Sequence, residues 1–177
     1  MKKLVEQVKQ WGVNKGLHKV GHLAQAKYTL KETAELLDAY ADGNIEEIND
    51  AIGDILVTLI VGASNDDDIF DYAMKKSVEY SLPKDSHIYG NAFAKLDGLN
   101  TLRHLVGEVL FLIHNCKEDA VKDYHYDRCL DALYCVAIGI NNEFHKTPSL
   151  QDCLQLAYNE IKDRTGKINE DGNFIKD

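Results

Sequence analysis

The chain is 177 residues long, with 45% apolar residues, only two prolines and a formal net charge of −9. That length suits one compact domain, or two small fused units, with enough chain to bury a true core. Scarce proline favours helices over a turn-rich β fold, and a negative chain without a basic run excludes general nucleic-acid binding, though not a nucleotide whose charge a metal offsets.

The opening MKKLVEQVKQW lacks the apolar centre of a signal peptide. The longest apolar run, ILVTLIVGA, is too short to span a membrane, so a cytoplasmic protein with no membrane partner is expected. Apolar periodicity predicts helices at about 2–12, 27–41, 45–63, 67–81, 99–118, 121–145 and 149–164. Gly43 and Asn44 part the second helix from the third, and Ser64-Asn65-Asp66 caps the fourth. Residues 82–98, LPKDSHIYGNAFAKLDG, read as a connecting loop. Ser149 is the expected N-cap of the last helix, with Asp152 three residues on, and the closing TGKINEDGNFIKD reads as an irregular tail. Four cysteines (Cys116, Cys129, Cys135, Cys153) form no CxxC pair, and three fall in helical apolar patterns, which favours reduced thiols over zinc. The expected fold class is all-α, a helical bundle in one domain over 1–177.

Four carboxylates stand out: Glu32 and Glu35 on the second predicted helix, Asp50 and Asp54 on the third. Residues three or four apart share a helix face. The face through the glutamates continues into Leu36 and Ala39, and the face through the aspartates into Val57 and Val61. Carboxylates in line with core positions are costly unless a cation compensates them, and metals held by carboxylates commonly serve phosphate chemistry. The ordinary alternative is a solvated acidic face, or acids favouring a helix N-terminus. Glu46 and Glu47 fit that alternative; Asp54 does not, lying inside its helix directly before ILVTLIV. Gly53 beside it costs about 1 kcal/mol against alanine and admits close approach by another helix or a ligand.

An internal repeat over 27–95 and 99–177 is also expected. Thr29-Leu30-Lys31 overlays Thr101-Leu102-Arg103, setting Glu32 opposite His104 and Glu35 opposite Gly107. DAIGDILVTLIVG overlays DRCLDALYCVAIG, matching Asp50 and Asp54 to Asp127 and Asp131. Asp71 and Glu79 then match Asp152 and Glu160, and Phe93 and Lys95 match Phe174 and Lys176. The second half lacks both glutamates, so only one half carries the full acid set, and its two aspartates read as a relic site.

These residues carry a resemblance. LKETAELLDA followed by DAIGDILVTLI resembles the EExxE and ExxD motifs of the all-α nucleoside triphosphate pyrophosphohydrolases, the superfamily of MazG, dimeric dUTPase and phosphoribosyl-ATP pyrophosphohydrolase, and above all the MazG-like proteins common in phages and prophages. AYNEIKDRTGK and DGNFIKD resemble the substrate-contacting segment and tail of such proteins, while Trp11, Lys15-Gly16, Gln25 and Lys27 fall where those relatives place similar residues. The likeness covers about 1–63 and 149–177. Two departures stand in it. Lys31 replaces the first glutamate of EExxE, and the second motif reads D-x-x-x-D, while an ExxD stands one turn earlier as Glu47 and Asp50.

The resemblance implies a nucleotide pyrophosphohydrolase that cuts an NTP or dNTP into monophosphate and pyrophosphate. It implies one to three Mg²⁺ (Mn²⁺ as the alternative) held by Glu32, Glu35, Asp50 and Asp54, with Glu47 as alternate ligand. Glu35 is favoured as base over Glu32 for an activated water. Lys27, Lys162 and Arg164 would steady the triphosphate, with Asn159 and Gln25 on phosphate, sugar or base. Bundles in that superfamily bring two subunits or two repeats together, so a homodimer or an intrachain pseudo-dimer is implied. A catalytically degenerate nucleotide-binding or regulatory protein is the alternative that the two departures keep open.

Overall fold

The computed structural model describes residues 1–80, 96–145, 149–168 and 174–176. The expected loop at 82–98, except for its last three residues, and the repeat matches at Phe93 and Lys95 lie outside them. Among the described residues the chain forms seven α-helices: α1 (Lys2–Asn14), α2 (His22–Asp42), α3 (Ile45–Ala63), α4 (Asp67–Tyr80), α5 (Gly98–Lys117), α6 (Asp123–Phe144) and α7 (Leu150–Ile161). A 3₁₀ turn at Leu17–Lys19 joins α1 to α2.

The all-α expectation holds, and most helix ends follow their caps. Asn44 accepts from the Glu47 amide at the start of α3. Asp66 accepts from the Asp68 and Ile69 amides before α4, and Ser149 accepts from the Asp152 amide before α7. Gly43, at φ 65°, takes the left-handed turn that ends α2 and reverses the chain into α3.

Two expectations need correction. The second helix begins at His22 rather than residue 27. Its N-cap is Gly21, at φ 83°, which offers no side-chain cap to read, and the first turn is pinned instead by a 2.9 Å hydrogen bond between His22 Nδ1 and the Tyr126 hydroxyl of α6. The tail is not wholly irregular either: β1 (Gly166–Ile168) pairs antiparallel with β2 (Phe174–Lys176), Lys167 opposite Ile175.

α3 is the hub. Ile48, Ile52, Ile55, Leu56, Leu59 and Ile60 are all buried to 1% exposure or less, because α1, α2, α4, α6 and α7 all pack against it. This is why its sequence is apolar nearly all round. α2 and α3 form one antiparallel hairpin and α5 and α6 a second; the hairpins meet through α2 on α5 and α3 on α6. α7 returns to lie along α3 of the first hairpin. Gly53 makes that crossing close: a Cβ there would run into the Cys153 carbonyl of α7 and stand 2.9 Å from the Ala157 Cβ. The cysteines are free thiols, Cys129 and Cys153 buried and the other two half-buried. Among the described residues no helix is long and apolar enough to cross a membrane.

Candidate active site

The antiparallel α2/α3 hairpin turns the two acidic faces toward one groove. Glu32 falls level with Asp54, Glu35 with Asp50, and Asp38 with Glu47, so the acids form three rungs along it. The first rung opens into a cleft of about 180 Å³ lined by Trp11, Leu17, Gln25, Tyr28, Glu32, Asp54, Val57, Thr58, Val61, Ile161 and Arg164. The other two rungs, with Ala51, line an adjoining cavity of about 230 Å³.

The rungs differ in character. Glu32 is 12% exposed, and burial, then the charges of Glu35 and Asp54, push its carboxyl up to about 7 against the pull of Lys31. Asp54 is pushed up to about 6, by burial first and Asp50 second, with Arg164 opposing. Asp50 is also raised, by burial and by Glu160, while Arg164 again opposes. Glu35 goes the other way: the Lys31 ammonium sits 2.7 Å from its Oε1 and holds its carboxyl below the usual range. The same ammonium lies 3.6 Å from Glu32 Oε1. Lys31, the residue noted as a departure from the resembled motif, thus sets its ammonium between Glu32 and Glu35.

Arg164 comes to the site from beyond the end of α7. Its guanidinium lines the cleft and bonds Glu160 at 3.3 Å. Of the other expected substrate contacts, Gln25 lines the cleft, whereas Lys27, Asn159 and Lys162 are exposed and line neither cavity. The Asn159 amide oxygen accepts from Gln155 at 3.1 Å. Gln25 is 4% exposed, and its Nε2 has no hydrogen-bond partner among the described residues. Extending α2 back to His22 is what sets Gln25, Tyr28 and Glu32 on one face, at the spacing of successive turns.

Sequence reasoning left Asp38, Tyr28 and Thr58 aside. Asp38 lies three residues beyond Glu35, so helical spacing alone carries it. Tyr28 lies one turn before Glu32 and needed only the earlier helix start. Thr58 gave no signal; its hydroxyl donates to the Ile55 carbonyl at 2.9 Å and lies 3.0 Å from the Thr29 hydroxyl.

Around the positions that the expected repeat would overlay, the second hairpin carries other groups. Glu108, one residue past the position opposite Glu35, is buried and held by a bidentate Arg128 at 2.7 and 2.8 Å. Arg128 is itself one residue past Asp127. His104, opposite Glu32 in the overlay, is exposed and 3.8 Å from Glu108. Asp127 and Asp131 lie on α6, the first buried and the second half-buried, and both are engaged with other groups of the protein.

Compared with protein-family models, curated proteins and solved structures, the chain gives no match.

Whether these acids suit a divalent cation turns on donor chemistry and on arrangement. Hard carboxylate oxygens on facing helices, two of the carboxyls raised by burial first and by neighbouring acids second, are the donors that Mg²⁺ or Mn²⁺ takes. Among the described residues no three such side chains yet gather in ligating position. The obstacle is local: Glu35 is turned onto Lys31, its Oε1 accepting from the ammonium at 2.7 Å. The donors fit a hard cation in kind, and gathering them requires Glu35 to leave its lysine.

Proposed function

We propose that the chain is a divalent-cation-dependent nucleoside triphosphate pyrophosphohydrolase that converts an NTP or dNTP to the monophosphate and pyrophosphate. One observation carries the reading. A single cleft joins an acidic end, Glu32 and Asp54 from facing helices with Arg164 beside them, to a compartment walled by Trp11, Tyr28, Val57 and Val61. The Nε2 of its buried amide, Gln25, has no hydrogen-bond partner among the described residues. The acidic end suits a metal and a triphosphate; the compartment suits a flat heterocycle, which aromatic walls grip by area and a buried amide selects by hydrogen bonding.

In this reading Glu32, Glu35, Asp50 and Asp54 hold the cation, with Glu47 and Asp38 extending the donor set down the groove. Bound there, the cation supplies Lewis acidity and charge neutralisation for phosphoryl chemistry. Arg164 grips phosphate oxygens with a forked guanidinium. Glu32, which lines the cleft itself, takes the proton of the attacking water; Glu35 lines the adjoining cavity and is the less direct candidate. The close crossing at Gly53 carries α7 to α3 and so delivers Arg164 to the acids. Two hairpins packed within one chain support an intrachain pseudo-dimer, with acids from the first and the arginine from the segment after the second.

The test is to incubate the chain with Mg²⁺ and a panel of NTPs and dNTPs and to identify products. Monophosphate with pyrophosphate supports the reading, and loss of turnover in Asp54→Asn and Glu32→Gln places it in this groove. A folded chain that turns over no nucleotide sinks it. The Lys31 contact on Glu35 and Glu32 favours one second reading, a chain that binds nucleotides without hydrolysing them; nucleotide binding with no products would select it.

A further inference from the structure

Lys31 is the feature of the groove that the proposed function leaves unused. Its ammonium is 2.7 Å from Glu35 and 3.6 Å from Glu32, while its own side chain remains 62% exposed. It therefore neutralises the upper acids at the end of a flexible stem that solvent surrounds, and a single ion pair at such a site is weak and reversible. The second hairpin shows the opposite arrangement. There Arg128 grips the buried Glu108 with two hydrogen bonds, and Glu108 is only 7% exposed. A forked grip on a buried carboxylate does not open readily. One fold thus holds two acids each paired with a cation, one gripped by an arginine fork and one covered by a lysine on an exposed stem.

We propose that Lys31 is a tethered counter-ion that occupies the groove in the metal-free chain and must withdraw before a divalent cation enters, so that it sets the cation affinity of the site. The inference rests on the metal-dependent reading above and goes beyond it, because it assigns a role to a residue the hydrolysis itself does not require. Glu35 turns its Oε1 onto the ammonium, and a divalent cation drawn to the same carboxylate is repelled by that positive charge while Lys31 stays in place. Divalent binding is then an exchange of a monovalent internal cation for a divalent external one. A bound triphosphate offers the displaced ammonium a new partner, so nucleotide and cation favour each other's entry.

The experiment measures Mn²⁺ binding to the full chain by titration calorimetry without nucleotide, with melting temperature followed with and without Mn²⁺. Lys31→Met is expected to tighten Mn²⁺ binding about fivefold, the reach of one exposed ion pair. It should also lower the metal-free melting temperature and enlarge the rise on adding Mn²⁺. Lys31→Glu, which adds a carboxylate, should tighten binding by on the order of tenfold or more, and Lys31→Arg should bind no tighter than the parent chain. Lys27→Met, one turn earlier on the same helix and lining neither cavity, is the control for net charge and should shift affinity less than about twofold. Equal affinities for the parent chain and Lys31→Met, or equal gains from Lys31→Met and Lys27→Met, overturn the role of Lys31 alone, provided Asp54→Asn still weakens Mn²⁺ binding. Mn²⁺ binding that ignores Asp54→Asn, or is absent even from a folded Lys31→Glu chain, overturns the metal-dependent reading and this inference with it.

Discussion

Gly53 of α3 lies against the Cys153 carbonyl of α7, with no room between them for a methyl group. Helix propensity alone makes Gly53→Ala favourable by about 1 kcal/mol. The contact opposes it: the Cys153 oxygen is backbone and the Ala157 Cβ would be 2.9 Å away, so neither neighbour yields by a rotamer change. Forcing the helices apart costs about 1–3 kcal/mol. Net destabilisation is expected, read as a lower melting temperature. Because α7 carries the chain to Arg164, nucleotide affinity should fall more steeply than stability does.

The metal-free chain should lose stability as pH rises from about 4.5 to about 7. The sign follows from the two raised acids. Glu32, ordinarily at 4.5, sits at about 7, and Asp54, ordinarily at 3.8, at about 6. Between those limits the folded chain holds protons that the unfolded chain has released, so folding stability falls with rising pH. Glu35, lowered by Lys31, contributes with the opposite sign: its stabilisation is complete above its ordinary 4.5 and is lost as pH falls below that. His22 and His125, lowered by burial, also oppose the decline below their ordinary 6.5, so the acids' contribution is read as the difference between the parent chain and variants that lack them. Melting temperatures across pH 4 to 8 check it. Asp54→Asn should flatten the decline and raise the neutral-pH melting temperature by a few degrees, a gain of about 1 kcal/mol, while abolishing turnover. A decline that survives in Asp54→Asn combined with Glu32→Gln would mean that other groups cause it.

The Glu108–Arg128 pair yields a stability prediction separate from the site. Arg128→Ala leaves a carboxylate at 7% exposure without its two donors. Removing one partner strands the buried carboxylate, while the half-exposed position of the arginine lets water reach it, so a clear but partial loss of stability is expected. Replacing both residues, Glu108→Gln with Arg128→Met, should recover most of the loss, because no charge is then stranded. Nucleotide turnover per folded molecule should be unaffected by either change. Chemical denaturation of the single and double variants measures the difference.

How far the sequence carried depends on where each feature is encoded. The bounds of α3 were legible because the Gly43-Asn44 break and an apolar surface nearly all round mark a buried helix, and 45–63 is what the structure shows. Asp54 was legible as anomalous for the same reason: an acid within that surface has no ordinary explanation. The start of α2 was not legible, since Gly21 offers no capping side chain and the anchoring His22–Tyr126 bond spans 104 positions of sequence. That hidden turn and a half concealed the cleft, because Gln25 and Tyr28 read as preceding or opening a helix instead of facing inward from it. Spacing along α2 places Asp38 on the acidic face, but its pairing with Glu47 depends on the register between two helices, which neither helix carries alone. Strands of three residues, as in β1 and β2, are too short for a period of two to show.

Gln25 should separate stability from binding. Its Nε2 is buried and has no hydrogen-bond partner among the described residues, an arrangement that costs about 1–3 kcal/mol unless something in the cleft meets it. Gln25→Leu removes that cost at similar size, so the variant should be as stable as the parent chain or more so. Nucleotide binding should weaken about tenfold or more, because a heterocycle loses its polar partner in a site that otherwise offers apolar and aromatic walls. Inorganic triphosphate, which has no ring to place there, should bind both forms alike through Arg164 and the cation. Measuring stability, nucleotide affinity and triphosphate affinity on one pair of proteins decides the matter. A nucleotide affinity untouched by Gln25→Leu would move the base elsewhere, and a fall in all three would reduce Gln25 to a packing residue.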